Sequence, residues 1–144
     1  YFPILDSRKL EKYDFDMERL HFMGLQPLDV FKGLMQITRA HVYLTVPFVL
    51  SWSMLEAMGA GALIVGSDTA PVRELITDGE NGLLVPFSDT DIITEKLCHI
   101  LDNKAEYEPL RKNARQTIVK NYATKDLVPK YWDLIKSVAN GSHI

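Results

Sequence analysis

Short apolar runs separated by longer segments of helical period dominate the layout of this chain, and that alternation leaves few foldable arrangements. It is the pattern of parallel strands joined by crossover helices, because neighbouring parallel strands cannot be closed by a tight turn. The expected class is α/β, with a Rossmann-like parallel sheet flanked by helices. Residues 20–23 read as a strand stopping at Gly24, and Pro27 opens a helix through about Thr38 with Val30, Phe31, Leu34 and Ile37 on one face. Residues 42–46 form the next expected strand, ended by Pro47, and Ser53 reads as the N-cap of a helix over 54–60 with Gly59 and Gly61 at its exit.

Further along, residues 63–65 form a short apolar strand, 66–69 a polar turn, and Pro71 starts a short helix through Ile76. Residues 78–82 are dense turn chemistry before a strand over 83–85. Asp89 caps a helix reaching about Leu101, a second helix covers roughly 105–119, and Pro129 lies near the first turn of a third that ends near Asn140. No internal repeat or linker interrupts the series, so the whole span 1–144 reads as one domain. A chain of this length buries roughly 70% of its unfolded surface, enough for a core without disulfides or metals.

Composition narrows the function. One cysteine, Cys98, and four scattered histidines supply no recurrent zinc-ligand spacing, so no metal is expected. A net charge of −3 gives no basic footprint for nucleic acid, and no apolar run reaches transmembrane length. The single cysteine fits a reducing, cytoplasmic compartment. The opening Tyr1-Phe2-Pro3-Ile4-Leu5 is apolar and lacks methionine, as though entering mid-strand, which reads as a truncated piece of a larger protein. The closing Gly141-Ser142-His143-Ile144 reads equally as an artificial scar or a natural tail.

Between Ala40 and Ser67 the only formally charged side chain at neutral pH is Glu56. An unpaired charge inside so apolar a stretch is very unfavourable, so this carboxylate either lies on a solvated helix edge or is held by specific donors. Its helical neighbours Trp52, Ser53, Gly59 and Ala60 are not cationic, so no intrahelical salt bridge is available. Two readings remain: a ligand such as the hydroxyl pair of a ribose, or a structural bond to another loop or to Arg73. The preceding loop, Phe48-Val49-Leu50-Ser51-Trp52, lies just beyond a strand's carboxyl end and before a helix N-terminus, where ligands of open α/β sheets bind and phosphate is favoured. The same apolar loop also suits a core or a domain contact, and for Trp52 a core role is the leading expectation. Ser53 is expected to cap, and Ser51 to be a loop hydroxyl facing water.

These residues, with their order and spacing, resemble the retaining glycosyltransferases of family 4, also called group 1, which have the two-domain GT-B fold. The markers are Phe22-Met23-Gly24, the strand ending at Pro47, Leu55-Glu56-Ala57-Met58-Gly59-Ala60-Gly61, Leu63-Ile64-Val65-Gly66-Ser67, Glu74-Leu75-Ile76, and Asp78-Gly79-Glu80-Asn81-Gly82-Leu83-Leu84-Val85. The resemblance implies the nucleotide-binding half of a GT-B enzyme, which transfers a sugar from a nucleoside diphosphate sugar to an acceptor hydroxyl with retention. It implies no cofactor and no metal, and a separate N-terminal acceptor domain as partner. Glu56 matches the second glutamate of the family's E-x7-E motif and would bind the ribose. Gly24 and Leu25 match the backbone that seats the base, and Phe48, Val49, Leu50, Ser51 and Trp52 match the loop facing the sugar and diphosphate.

Two departures stand out. Phe48 replaces the motif's first glutamate and cannot accept a hydrogen bond from a sugar hydroxyl, and the usual glycine-containing loop has become Phe48-Val49-Leu50-Ser51. The resemblance puts the arginine and lysine that would hold the diphosphate on the domain's first strand-helix turn, expected upstream of Tyr1, and Arg8 and Lys9 are not assigned that role. No catalytic side chain is identified. A non-catalytic nucleotide-binding module and a GT-B sugar-nucleotide epimerase are the alternatives.

Overall fold

The computed structural model describes residues 15–141, so the readings placed on residues 1–5, on Arg8 and Lys9, and on 142–144 lie outside the described residues. The chain divides into two compact units, 1–31 and 32–144. Within the first, the described residues form a 3-10 turn, Met17–Arg19, capped by the Asp16 carboxylate, and then an irregular stretch. The strand expected over 20–23 is not formed: these residues are exposed and no strand among the described residues pairs with them, so their backbone has no ladder to join. Gly24 takes a φ of +60°, a turn conformation that glycine adopts without steric cost.

Helix α1, Leu28–Ile37, crosses the boundary between the units and buries no residue; Phe31 and Leu34 are half-buried while Val30 and Ile37 face outward. The second unit is built on three parallel strands, β1 (His41–Tyr43), β2 (Ile64–Ser67) and β3 (Leu83–Val85), in the order β1-β2-β3. Helix α2 (Trp52–Ala60) connects β1 to β2, and the single-turn α3 (Ala70–Arg73) lies between β2 and β3. Register pairs His41 with Ile64, and Val65 with both Val42 and Leu83. The central strand is buried at every residue, as a strand with neighbours on both edges and helices on both faces must be.

Alternation along β2 feeds two cores. Leu63 and Val65 join Leu83, Val85 and Ile100, with Ile93, Leu97 and Leu110 packed on them. Gly66 faces the other way, toward Val72 and Ile76, and a methyl group there would approach Val72 Cγ1 to 2.9 Å. Only a glycine admits α3 so close to the sheet.

Helix α4, Thr90–Asp102, is capped by Asp89, whose carboxylate accepts from the Ile92 N–H at 3.0 Å, as the sequence predicts. A 3-10 turn, Lys104–Tyr107, leads into α5, Glu108–Asn121. Helix α6, Thr124–Ala139, starts five residues before Pro129, which sits inside it rather than near its first turn. On this exposed helix the missing proline N–H leaves a carbonyl that water can reach, which softens the usual penalty. The apolar side of α6, including Leu127, Val128, Tyr131, Trp132 and Ile135, remains exposed.

Candidate functional site

Beyond Tyr43 the chain leaves the sheet ladder, yet its root is held by a side chain. The Thr45 N–H donates to Ser67 Oγ at 3.0 Å, and that hydroxyl donates back to the Thr45 carbonyl at 2.8 Å. Ser67, fully buried at the end of β2, thus imitates one strand pair and fastens the carboxyl tips of β1 and β2. The expected strand over 42–46 therefore ends early, with a serine continuing its pairing.

The exit of the loop is held equally locally. The Ser51 N–H donates to the Tyr43 hydroxyl at 3.0 Å, and Ser51 Oγ accepts from the Ser53 N–H at 3.3 Å. Ser51, not Ser53, is therefore the N-cap of α2, and the two hydroxyls lie 2.8 Å apart. The correction follows from backbone shape: Ser51 has extended φ and ψ, while Ser53 is already inside the first helical turn. No acidic side chain occupies that turn, so the positive end of the helix dipole meets no internal counter-charge there.

Between these two anchors the loop presents its apolar side chains outward. Phe48 is 71% exposed, Val49 79% and Trp52 81%, and only Leu50 is half-buried. The core role expected for Trp52 is overturned: at the first position of α2 its indole projects from the helix end instead of into the sheet.

Glu56 stands one turn into α2, exposed, and among the described residues its carboxylate has no hydrogen-bond or ion-pair partner. Arg73, the structural partner considered for it, is committed to Asp68, with Nη2 2.8 Å from Oδ2. The Arg73 hydrogen bond holds the Asp68 carboxyl below its usual range, and the same bond raises the guanidinium. Asp68 itself follows β2, with its N–H donating to the Val85 carbonyl at 2.8 Å. Glu56 is therefore a carboxylate on a solvated helix edge, adjoining the loop at the carboxyl tip of β1.

The structure thus brings Glu56 and residues 48–52 together on one helix and its entry loop. Gly24 and Leu25 belong to the first unit, and Leu25 is fully exposed. Sequence reasoning missed Ser67 and Tyr43 as anchors of the loop; a serine closing an apolar strand run was the only signal. Among the described residues no group of three or more His, Cys, Asp or Glu side chains could hold a metal ion. Among the described residues no helix is long and apolar enough to cross a membrane.

Residues 18–117 match the family described as glycosyl transferases group 1. Over 128 residues the chain is 22% identical to N-acetyl-alpha-D-glucosaminyl L-malate synthase of Bacillus anthracis, covering 86% of this chain and 33% of that protein. The fold is similar to Anabaena HepE in complex with UDP-glucose, with TM-score 0.81 and 15% identity over 91% of this chain and 35% of that one. It is also similar to sucrose-phosphate synthase of Thermosynechococcus elongatus, with TM-score 0.82 and 21% identity over 94% and 34% of the two chains. The chain spans about a third of the length of the first of these relatives, 33%. The parallel sheet, its flanking helices and these likenesses bear out the fold expected of the nucleotide-binding half of a GT-B enzyme. With the family match extending over more than half its length, the chain belongs to the group 1 glycosyl transferases.

Proposed function

We propose that this chain is the donor-binding part of a retaining glycosyltransferase that moves a sugar from a nucleoside diphosphate sugar to an acceptor hydroxyl. The observation that carries this reading is the Glu56 carboxylate, unpartnered among the described residues, one turn into the helix that follows the carboxyl tip of β1. Two adjacent hydroxyls can donate to one carboxylate, so a ribose is the natural occupant. The loop over 48–51 and the amino end of α2 would face the diphosphate. HepE, whose fold this chain shares, has been crystallised with UDP-glucose, which supports a sugar nucleotide as ligand.

In this reading the departing diphosphate is stabilised by backbone donors and the helix dipole without a metal. Attack comes from the face the diphosphate leaves, whose oxygen takes the acceptor proton as the new glycosidic bond forms. The parent polypeptide supplies the acceptor domain, and the exposed apolar side of α6 supports a surface covered by further protein. We place the enzyme in the cytoplasm, where nucleotide sugars are made.

One feature favours a second reading. Phe48 stands exposed where the family motif has a glutamate, with no polar atom to receive a sugar hydroxyl, which suits a module that keeps the nucleotide and has lost the sugar. A sugar-nucleotide epimerase shares the ribose carboxylate and is the remaining enzyme class. Titration with UDP, GDP and ADP tests the core of the proposal. Glu56→Ala is expected to weaken the best binder about ten- to a hundred-fold, the worth of a charge-assisted hydrogen bond. Unchanged affinity removes Glu56 from the site, and product analysis of the parent separates transfer, epimerisation and inactivity.

A further inference from the structure

Helix α2 must present Glu56 in one pose, and the hydrogen bonds at its far end show what holds it. A helix leaves its last carbonyls without intrahelical partners. Here the Gly61 and Ala62 N–H groups return to the Met58 and Ala57 carbonyls, both at 3.0 Å, with Gly61 at a φ of +90°. That turn satisfies two carbonyls and leaves those of Gly59 and Gly61 facing α5. Arg115 Nη1 donates to the Gly59 carbonyl, and Arg111 Nε donates to the Gly61 carbonyl at 2.8 Å.

Arg111 reaches further. Its Nη1 donates to the Thr38 carbonyl at 3.2 Å and its Nη2 to the Gln36 carbonyl at 2.9 Å, so one guanidinium fork spans the carboxyl ends of α1 and α2. Its side chain is only 15% exposed, and the nearest carboxylate, Glu108 on its own helix, stands 3.9 Å away. The positive charge is thus spent chiefly on the negative ends of two helices. Ala114, between Arg111 and Arg115, is fully buried, α5 packs on α2, and Ile118 meets Gly59 one turn on.

We propose that Arg111 is a positioning residue for the nucleotide site: by holding the carboxyl ends of α1 and α2 it sets the pose of α2 and hence of the Glu56 carboxylate. Arg115 assists at Gly59. The inference rests on the reading of Glu56 as the ribose ligand. Arginine is required because its planar fork directs several donors at once, whereas a lysine ammonium is a single point that cannot span carbonyls on separate elements.

A double-mutant cycle with UDP, GDP and ADP as probes, run on the full chain by calorimetry, tests it. Arg111→Met keeps the apolar stem and removes every donor; it is expected to weaken the best-binding nucleotide about five- to tenfold, since small displacements of a binding group are costly. In a Glu56→Ala background the same change is expected to cost clearly less, about twofold, because the ribose carboxylate is gone and only the amino end of α2 toward the diphosphate remains to be positioned. Arg111→Lys falls between. Equal losses in both backgrounds, or a folded Arg111→Met chain with undiminished affinity, overturn the proposal. If circular dichroism shows that Arg111→Met does not fold, Arg111→Lys and Arg115→Met are put through the same cycle and judged by the same two outcomes. Failure of the underlying reading looks different. If Glu56→Ala leaves affinity unchanged, or no nucleotide binds, the ribose assignment falls and this inference with it; if Glu56→Ala weakens binding but the arginine variants do not, only the clamp is wrong.

Discussion

Replacing Ser67 by alanine isolates the bond that fastens the tip of β1. The hydroxyl accepts from the Thr45 N–H at 3.0 Å and donates to the Thr45 carbonyl at 2.8 Å, and Ser67 is fully buried. The alanine changes little volume, so the cost comes from two backbone groups of Thr45 left without their partner. Each such loss ranges from about 0.5 kcal/mol where water replaces the bond to about 3 kcal/mol where it cannot. Thr45 is half-buried, which admits water to part of the gap and sets the expected total at about 2 kcal/mol. For a chain of this size that corresponds to a fall in Tm of about 4–8 °C. Urea unfolding followed by circular dichroism reads it as a lower midpoint at unchanged slope. A loss below about 0.5 kcal/mol would show that water serves Thr45 as well as Ser67 does, and the serine would not be an anchor of the loop.

Gly66→Ala drives a methyl group to 2.9 Å from the stiff Val72 Cγ1 and is expected to cost about 1–3 kcal/mol in the same unfolding assay; a neutral result would refute the close packing of α3 on the sheet. Asn81 is 8% exposed; its Oδ1 accepts from the Thr77 N–H, and its Nδ2 donates to the Leu75 carbonyl and Thr117 Oγ1. Asn81→Ala is expected to lose about 2–3 kcal/mol, and Asn81→Asp, which keeps the acceptor alone, should not restore wild-type stability. Burial pushes the His41 imidazole below its ordinary value of 6.5, so the unfolded chain takes up the proton first. The His41 contribution is therefore constant above pH 6.5 and destabilises as pH falls from there through the lower folded value; a His41→Gln chain with the same slope between about pH 7 and pH 5 would contradict this.

Periodicity and local chemistry were sufficient for the features that depend on near neighbours. The parallel α/β pattern, the Asp89 cap, the turn around Gly79 and the strand β3 all follow from residues within a few positions of one another. The same local rules misplaced features whose partners are remote or missing. Residues 20–23 have strand composition, yet a strand exists only where another backbone pairs with it. Ser51 and Ser53 are equally good caps by composition, and the Tyr43 hydroxyl that receives the Ser51 N–H lies eight residues away. Trp52 is a core residue by type and a projecting one by position.

For the candidate site, the isolation of Glu56 in a charge-poor stretch was visible in the chain itself, because charge content needs no coordinates. That Arg73 is taken by Asp68, that Ser67 closes the root of the loop, and that Arg111 holds helix ends 50 to 75 residues away depended on the tertiary structure. The physical reason is that side chains of arginine and serine carry little preference for one distant partner over another. Which carbonyl or N–H they meet is decided only when hydrophobic burial of the sheet and its helices has brought those groups within reach.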